Sequence, residues 1–397
     1  MKVELLAPAG NFSKLKTAFY FGADAAYIGG KAFSLRSFAD NFDAEELKSA
    51  VNFAHKLGKK VYVTANIFAK NADFSALSDY FKYLYEIGTD AAIISDSGVF
   101  YIAKKAAPAL AVHVSTQANV TNKYAVKFWK EQGADRVILA RELSLDEISE
   151  IHSFVPEIEL EAFVHGAMCI SYSGRCLLSD YLAGRPSNRG ECVQACRWNY
   201  TVKKHDLGAD SGELPVEEDE RGTYIFNSKD LNMSAHLNEM AAAGVCSFKI
   251  EGRMKSEYYL ATVINAYRRC IDGGFDEVIA RELTTAAHRD YTTAYMLGEN
   301  RATVNYSDSQ AKGDCDYIGN VLSCADGSAV VEMRGRFKVG DSLEVLSPTG
   351  NFGKSFVVER AKTGAGKEVD DCKLVQEHYT VNCPFALANG DLLRRRK

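Results

Sequence analysis

The sequence lacks the segments that would place a protein in or across a membrane. No run approaches the roughly 18 consecutive apolar residues of a membrane-spanning helix. No basic and apolar leader precedes the strand-like segment KVELLAPAG. We therefore expect a cytoplasmic protein with no membrane partner. In that reducing compartment clustered cysteines indicate metal binding or catalysis more often than disulfides.

Signatures of three common protein classes are also absent. The sequence contains no G-x-G-x-x-G after the first strand-like segment, no G-x-S-x-G elbow and no H-E-x-x-H helix. A dinucleotide-binding sheet, an elbow-type serine hydrolase and a zinc-helix protease are therefore unsupported. The net charge of −5 likewise excludes a wholly basic nucleic-acid binder, although it is compatible with a local basic patch.

Short apolar runs alternate with amphipathic segments through the first two thirds of the chain. Eight candidate strands share this pattern, at 3–9, 25–30, 60–66, 91–96, 111–116, 136–141, 158–166 and 247–252. Helical patterns follow them, as at 43–58 and 256–274, and Ser144 with Glu147 predicts a capping box. Apolar strands that alternate with helices indicate a parallel sheet covered on both faces.

The predicted fold class is α/β. Eight strand–helix units match a (β/α)8 TIM-like barrel in number and length, and a doubly wound open sheet is the alternative. We expect the barrel over 1–280, with a cysteine-bearing insertion after strand seven at 167–230. Short strands with Gly, Asp and Pro turns predict a linker and a small all-β, barrel-like domain over 281–397.

Four of the ten cysteines lie inside the predicted insertion: Cys169, Cys176, Cys192 and Cys196. Thiolates suit both iron–sulfur clusters and Zn²⁺. Only Cys192 and Cys196 have the short spacing of a zinc knuckle. The spacing therefore leaves open an iron–sulfur cluster, a zinc site or plain buried thiols.

Cations and aromatic side chains surround these cysteines. Arg185, Arg189, Arg197 and Trp198 are among them, and such a mixture binds phosphates and unstacked bases. This composition predicts an RNA-binding surface, and a solvated loop is the alternative.

Polar residues close several of the predicted strands. They are Asn66, Gln117, Arg141, Glu161, His165, Lys249, Glu251 and Arg253. In a barrel these strand ends converge on one mouth. Lys249 and Glu251 share one side of their strand, and with Arg253 they predict a carboxylate-binding site. Asp96 and Ser115, which also follow strands, are expected to cap the next helices.

The segment EAFVHGAMCISYSGRCLLS, residues 161–179, resembles the signature of the collagenase-like peptidases, the thirty-second family of unassigned peptidases. LLAPAGNFSKLKTAFYFGADAAYIGG and FKIEGRMKSEYYLATVINAYRR are similar to the same family, so the likeness spans residues 1–275. The β-rich remainder is similar to the longer members. The resemblance implies one of two enzyme activities, peptide hydrolysis or the oxygen-independent hydroxylation of RNA and quinones.

In the hydroxylating branches four cysteines hold a [4Fe–4S] cluster, and the matching positions here are Cys169, Cys176, Cys192 and Cys196. One branch makes 5-hydroxyuridine at the wobble position of tRNA, with prephenate as co-substrate. In the quinone branch a ligand follows a motif like NSKDL, where this chain has Asn232. The resemblance therefore favours the tRNA branch.

The resemblance also implies roles for the remaining polar residues. Lys249, Arg253 and Arg141 would bind the carboxylates of prephenate, with Asn66 and Gln117 beside them. Glu161 or His165 would move protons, and Lys249 and Glu251 are further catalytic candidates. Arg185, Arg189, Arg197, Trp198 and the basic tail Arg394–Lys397 would contact tRNA. Two alternatives stay open: a peptidase that uses Cys169 with His165 or a metal, and a noncatalytic RNA-binding factor with a structural zinc. A homo-oligomer or a partner protein is equally compatible with the sequence.

Overall fold

The computed structural model describes residues 3–35, 41–169, 171–198, 217–219, 222–224, 228–298 and 311–397. These residues form two compact units. The first takes its residues from Met1–Leu15, Asp24–Met254 and Arg289–Ala311, and the second from Lys16–Ala23, Lys255–His288 and Lys312–Lys397. The predicted domain limits, 1–280 and 281–397, stay predictions.

The first unit contains the strands and helices that the sequence pattern predicts. Its strands are β1 Glu4–Pro8, β2 Ala25–Gly29, β3 Lys60–Ala65, β4 Ala91–Ile94, β5 Val112–Val114, β6 Arg136–Ile138, β7 Glu159–Ala167, β8 Glu217–Asp219, β9 Gly222–Tyr224, β10 Asp230–Asn232, β11 Val245–Ile250 and β12 Tyr291–Thr292. The helices of the chain before residue 250 are α1 Phe12–Tyr20, α2 Ala44–Lys56, α3 Phe74–Glu86, α4 Ser97–Ala106, α5 Lys123–Glu131, α6 Leu145–Phe154, α7 Leu178–Ala183 and α8 Leu237–Ala242. Short 3-10 turns lie at Asn71–Asp73, Thr116–Ala118, Ser187–Arg189, Ala195–Arg197 and Ser234–His236.

Eight of these strands close into a parallel barrel, which confirms the predicted fold class. Strands β1 to β7 pair in chain order, and β11 pairs with both β1 and β7 and so joins the two ends of the sheet. Helices α1 to α6 each follow one of the first six strands. The strands are buried along nearly their whole length, as at Leu5, Ile28 and Ile94. A continuous apolar strand of this kind is stable only where both faces of the sheet are covered.

The predicted helix caps are present. Ser144 accepts a hydrogen bond from the Glu147 backbone N–H, and the Glu147 carboxylate accepts from the Ser144 N–H, which completes the capping box of α6. Asp96 caps α4, and Ser115 caps the turn Thr116–Ala118. These two residues therefore have the structural role that their positions predict.

The insertion leaves and rejoins the barrel beside the same strand. Strand β7 runs on to Ala167, and β10 pairs antiparallel with its last residues, Asn232 opposite His165 and Asp230 opposite Ala167. Strand β12 then pairs with β10, and the buried Arg289 guanidinium bonds Asp230 at 2.6 Å. Both ends of the insertion are thereby fixed at the carboxyl end of the barrel.

The second unit contains the predicted all-β region together with two helices. Its helices are α9 Glu257–Gly273 and α10 Glu277–Leu283, and its strands are β13 Cys315–Ala325, β14 Ser328–Met333, β15 Phe337–Lys338, β16 Ser342–Leu346, β17 Ser355–Val357, β18 Ala361–Thr363, β19 Asp371–Cys372, β20 His378–Asn382 and β21 Leu392–Arg396. Seven of these strands form an antiparallel sheet. Its core includes Ile318, Val331, Phe337, Val345 and Leu393.

The basic tail is the last strand of this sheet, and each of its cations has a carboxylate partner. Arg394 bonds Glu282 at 2.6 Å and also contacts Glu344, and Arg396 bonds Glu344 at 2.7 Å. Arg395 and Lys397 both pair with Asp316. The tail therefore has balanced charge, and RNA would have to displace these carboxylates to bind there.

Arg394→Met is expected to destabilise the second unit by about 3–5 kcal/mol, because it leaves the buried Glu282 side chain without its partner. Arg394 is fully buried, and Glu282 is 3% exposed. Urea unfolding measures the loss. The exposed pair of Arg281 and Glu277 provides the control, since Arg281→Met should change the stability by less than about 1 kcal/mol. Equal effects of the two substitutions would contradict the expectation.

Candidate functional site

The carboxyl ends of the barrel strands surround a cavity. Among the residues that line it are six that the sequence singled out: Asn66, Gln117, Arg141, Lys249, Glu251 and Arg253. Tyr27 and Phe163 contribute aromatic walls, and Thr64 and Thr116 add hydroxyl groups. The cavity is therefore polar and cationic with aromatic surfaces beside the charges, and we call it the mouth cavity.

A buried ion pair fixes Lys249 in the wall of this cavity. The Lys249 Nζ donates to Glu161 Oε1 at 2.7 Å, and the Nζ lies 4.4 Å from the centre of the Tyr27 ring. Glu161 is fully buried and is not among the residues that line the cavity. Its carboxylate holds Lys249 in place from behind.

Glu161 also joins a network that runs toward the strand starts. Its Oε2 accepts from Arg136 Nη1 at 2.9 Å and from the Ser247 hydroxyl at 3.2 Å. Arg136 Nη1 donates to Glu4 as well, at 2.6 Å. Cations thus surround the Glu161 carboxylate, and a buried carboxylate needs such partners to stay ionised.

The electrostatics of the pair follow from this network. Burial by itself would raise the pKa of Glu161, but the charges of Lys249 and Arg136 outweigh it and hold the pKa below its usual value. Burial lowers the pKa of Lys249, while the Glu161 carboxylate opposes that change. The lowered pKa favours the charged form of Glu161, whereas the lowered pKa of Lys249 favours its neutral form. Arg136 keeps its proton at any ordinary pH, so its charge favours the ionised form of Glu161.

Arg141 and Lys249 lie over the same aromatic ring. The Arg141 guanidinium carbon is 3.9 Å from the centre of the Phe163 ring, and the Lys249 Nζ is 5.6 Å from it. Arg141 Nη1 donates to the Ala167 carbonyl at 2.6 Å. Among the described residues Arg141 has no carboxylate partner, and its Nε is buried without a hydrogen bond. A guanidinium in this state is suited to an anionic ligand.

The other predicted residues differ in how far they reach the cavity. Arg253 is buried, and its Nη1 donates to Ser34 and Thr64 at 3.0 and 3.2 Å. Glu251 accepts from the Tyr27 hydroxyl at 3.3 Å. His165 is fully buried, and its ring centre lies 5.4 Å from that of Tyr291. His165 is absent from the described cavity wall.

None of the four cysteines of the insertion forms a disulfide. Cys169 is exposed, and Cys176, Cys192 and Cys196 are partly buried. Cys192 Sγ accepts a hydrogen bond from the Gln194 backbone N–H at 3.4 Å. Within the described ranges no three His, Cys, Asp or Glu side chains are grouped closely enough to hold a metal ion. Cysteine thiols are ligands suited to a soft metal centre. In this structure these four thiols are not gathered around such a centre.

The predicted RNA-binding residues lie in the same insertion. The Arg189 guanidinium binds both oxygens of Asp73, at 2.9 and 3.0 Å, and donates to the Phe68 carbonyl. The bond to Asp73 raises the pKa of Arg189. Arg185 is half-buried and Trp198 is 43% exposed. The side chain of Arg197 lies outside the described residues. Arg189 thus fastens the insertion to the loop after β3, and the RNA contacts stay predictions.

Sequence reasoning missed two residues that shape the site, Arg136 and Glu142. Arg136 begins a strand and joins the network of Glu161. Glu142 follows Arg141 and binds Ser173 of the insertion. The position of Glu142 just after a barrel strand is the sequence signal that points to it as a site residue.

Comparison with known proteins places the chain in a family. The model of peptidase family U32 matches residues 10–306, and the model of the C-terminal domain of that family matches residues 313–394. No helix within the described residues is long and apolar enough to cross a membrane.

Three relatives illustrate what the chain is similar to. The tRNA hydroxylation protein P1 of Bacillus subtilis is 44% identical, over 87% of this chain and 84% of the relative. The tRNA hydroxylation protein P of Escherichia coli is 39% identical, over 92% and 90%. The collagenase of Porphyromonas gingivalis is 32% identical, over 87% of both chains. The chain is therefore an enzyme that belongs to peptidase family U32.

Proposed function

We propose that the chain hydroxylates the wobble uridine of a tRNA to 5-hydroxyuridine in the cytoplasm, without molecular oxygen. Prephenate is the proposed co-substrate, and a [4Fe–4S] cluster on Cys169, Cys176, Cys192 and Cys196 is the proposed cofactor. Two relatives named for tRNA hydroxylation, at 44% and 39% identity, support this substrate class. The observation that carries the proposal is the pair of cations, Arg141 and Lys249, over one aromatic ring in the mouth cavity.

The mouth cavity has the chemistry that a cyclic dicarboxylate requires. Arg141 offers a guanidinium without a carboxylate partner among the described residues, and Lys249 offers an ammonium 5.6 Å from the centre of the same Phe163 ring. One carboxylate of prephenate would bind each cation, with Arg253 close to the second. The faces of Tyr27 and Phe163 would pack against the apolar ring of the ligand. The two charges fix its orientation because each guanidinium or ammonium bond to a carboxylate is strong and directional.

The donor set of the insertion fits an iron–sulfur cluster by its chemistry. Four cysteines that form no disulfide lie in one insertion that is fixed to the barrel at both ends, and the Gln194 N–H directed at Cys192 Sγ is the kind of bond that stabilises a thiolate ligand. When bound, such a cluster supplies Lewis-acid or electron-transfer chemistry. The protein's own residues would bind and orient the co-substrate. Glu161 keeps Lys249 in position, and Glu251 accepts a hydrogen bond from the Tyr27 hydroxyl at the edge of the cavity.

Peptide hydrolysis is the second candidate, and the family name and the Porphyromonas gingivalis relative support it. It would use Cys169 as a nucleophile with His165 as its base. Cys169 is exposed, whereas His165 is fully buried against Tyr291. The two groups lie in different surroundings, so the geometry favours hydroxylation.

Arg141→Met is expected to lower 5-hydroxyuridine in tRNA by about 10- to 100-fold, because a charge-assisted hydrogen bond to substrate is worth roughly 1.5–3 kcal/mol. Mass spectrometry of nucleosides measures the modification in a deletion strain that carries the variant gene. Lys123→Met, which removes a partly exposed cation on α5, should restore wild-type levels. A deletion strain that keeps the wild-type level of 5-hydroxyuridine would refute the proposed function. Release of peptides by the anaerobically purified protein would also refute it.

A further inference from the structure

We propose that Glu142 is a positioning residue that holds the segment carrying Cys169 and Cys176 at the mouth of the barrel. The inference deepens the proposed function, on which the role of these cysteines rests. Glu142 follows the last residues of β6, and its carboxylate reaches into the insertion. Ser173, which lies between the two cysteines, is its partner.

Two donors of Ser173, its backbone N–H and its hydroxyl, bind the Glu142 carboxylate. The Ser173 backbone N–H donates to Glu142 Oε1 at 2.9 Å, and the Ser173 hydroxyl lies 3.3 Å from Oε1 and 3.1 Å from Oε2. Ser173 is 8% exposed. A carboxylate that accepts from a backbone N–H in a buried place makes one of the stronger hydrogen bonds in a protein. The bond fixes the backbone of the insertion as well as a side chain.

The preceding residue holds the other side of Cys169. Arg141 Nη1 donates to the Ala167 carbonyl at 2.6 Å. The dipeptide Arg141–Glu142 therefore binds the chain two residues before Cys169 and four residues after it. The exposed thiol of Cys169 stands between two fixed points, and we call this pair of attachments the clamp.

A third contact fixes the segment beside Cys176. Gly174 has φ +78°, and a β-carbon on it would lie 2.3 Å from the Gln117 carbonyl oxygen, which is backbone. The segment consequently packs against the end of β5 at a distance that only glycine permits. Gln117 and Arg141 both line the mouth cavity. The clamp therefore sets the cysteine segment directly beside the proposed co-substrate site.

Two substitutions test the clamp from opposite sides. Glu142→Ala removes the acceptor, and Gly174→Ala pushes the segment away from Gln117 while Glu142 stays. Glu150→Ala is the matched control, because Glu150 is a carboxylate on α6 that pairs with Lys123 at the surface. Hydrogen exchange measured by mass spectrometry follows residues 168–177 in the full chain, and iron per chain is determined after anaerobic reconstitution with Fe²⁺ and sulfide.

Both test variants should exchange residues 168–177 faster by roughly tenfold or more, with the barrel strands unchanged, and should retain less iron than the wild type. Unchanged exchange in this segment would overturn the proposal. Faster exchange with undiminished iron would also overturn it, since the clamp would then order the loop without positioning its ligands. If the wild-type protein retained no iron, the proposed cofactor would fail, while the exchange measurement would still decide whether Glu142 holds the segment.

Discussion

Glu161→Ala is expected to destabilise the barrel by about 3–5 kcal/mol, because it strips a buried lysine and a buried arginine of the carboxylate that both of them bind. Lys249 and Arg136 are each about 5% exposed, so water cannot replace the lost partner. Urea unfolding of the purified protein measures the change. Few surface substitutions approach this magnitude.

Glu159→Ala is the control for this experiment. Glu159 also binds Arg136, at 2.6 Å, but its side chain is 57% exposed. Because solvent screens an exposed ion pair, the loss should stay below about 1 kcal/mol. If Glu161→Ala lowered the free energy of unfolding no more than Glu159→Ala does, the buried network would not be the element that holds Lys249.

The same carboxylate predicts how stability depends on pH. The pKa of Glu161 is held below its usual value in the folded protein by Lys249 and Arg136. A group of this kind stabilises the fold above its unfolded pKa, about 4.3 for glutamate, and loses that contribution as the pH falls through the lower, folded value. Unfolding curves of the wild type should therefore move to lower urea concentrations below about pH 4. Glu161→Gln, which does not titrate, should show a smaller movement in the same range.

Cys192→Ser is expected to reduce the iron of anaerobically reconstituted protein from about four atoms per chain to nearly none, since a [4Fe–4S] cluster needs its cysteine ligands. The level of 5-hydroxyuridine in tRNA should also fall at least 100-fold. Removing a metal ligand should cost no less activity than removing a residue that only hydrogen-bonds to a ligand. Iron analysis, visible absorption and nucleoside mass spectrometry measure the three effects.

Cys324→Ser is the matched control, because Cys324 is a partly buried thiol of the second unit whose Sγ donates only weakly to the Phe385 carbonyl, at 3.8 Å. The Cys324→Ser variant should keep the iron content and the 5-hydroxyuridine level of the wild type. One bound zinc per chain in the wild type, with no iron, would replace the proposed cluster by a structural metal site. Full modification by Cys192→Ser would remove Cys192 from the cofactor site altogether.

The barrel could be predicted from the sequence because its signal is local. Apolar strands followed by amphipathic helices recur eight times, and each strand was placed to within a few residues. The gathering of Asn66, Gln117 and Arg141 around one cavity follows from the same pattern, since the carboxyl ends of parallel strands meet at one mouth. These inferences need only the position of a residue within its own unit.

The partners of the charged residues could not be predicted, because they depend on contacts between distant parts of the chain. Arg189 binds Asp73, which lies 116 positions earlier, and its predicted contact with RNA stays a prediction. Arg136 meets Glu4 across 132 positions. Composition shows that a cation is present, but only the folded arrangement shows whether a carboxylate neutralises it. The tail residue Arg394, which binds Glu282, is a third case of the same limit.

The antiparallel pairing of β10 with the end of β7 makes the two ends of the insertion neighbours. A loop whose ends already touch can change its length cheaply, since each doubling costs only about 0.6 kcal/mol of closure entropy. A change in the length of this segment should therefore cost little stability, because the strand pairing beneath it is kept.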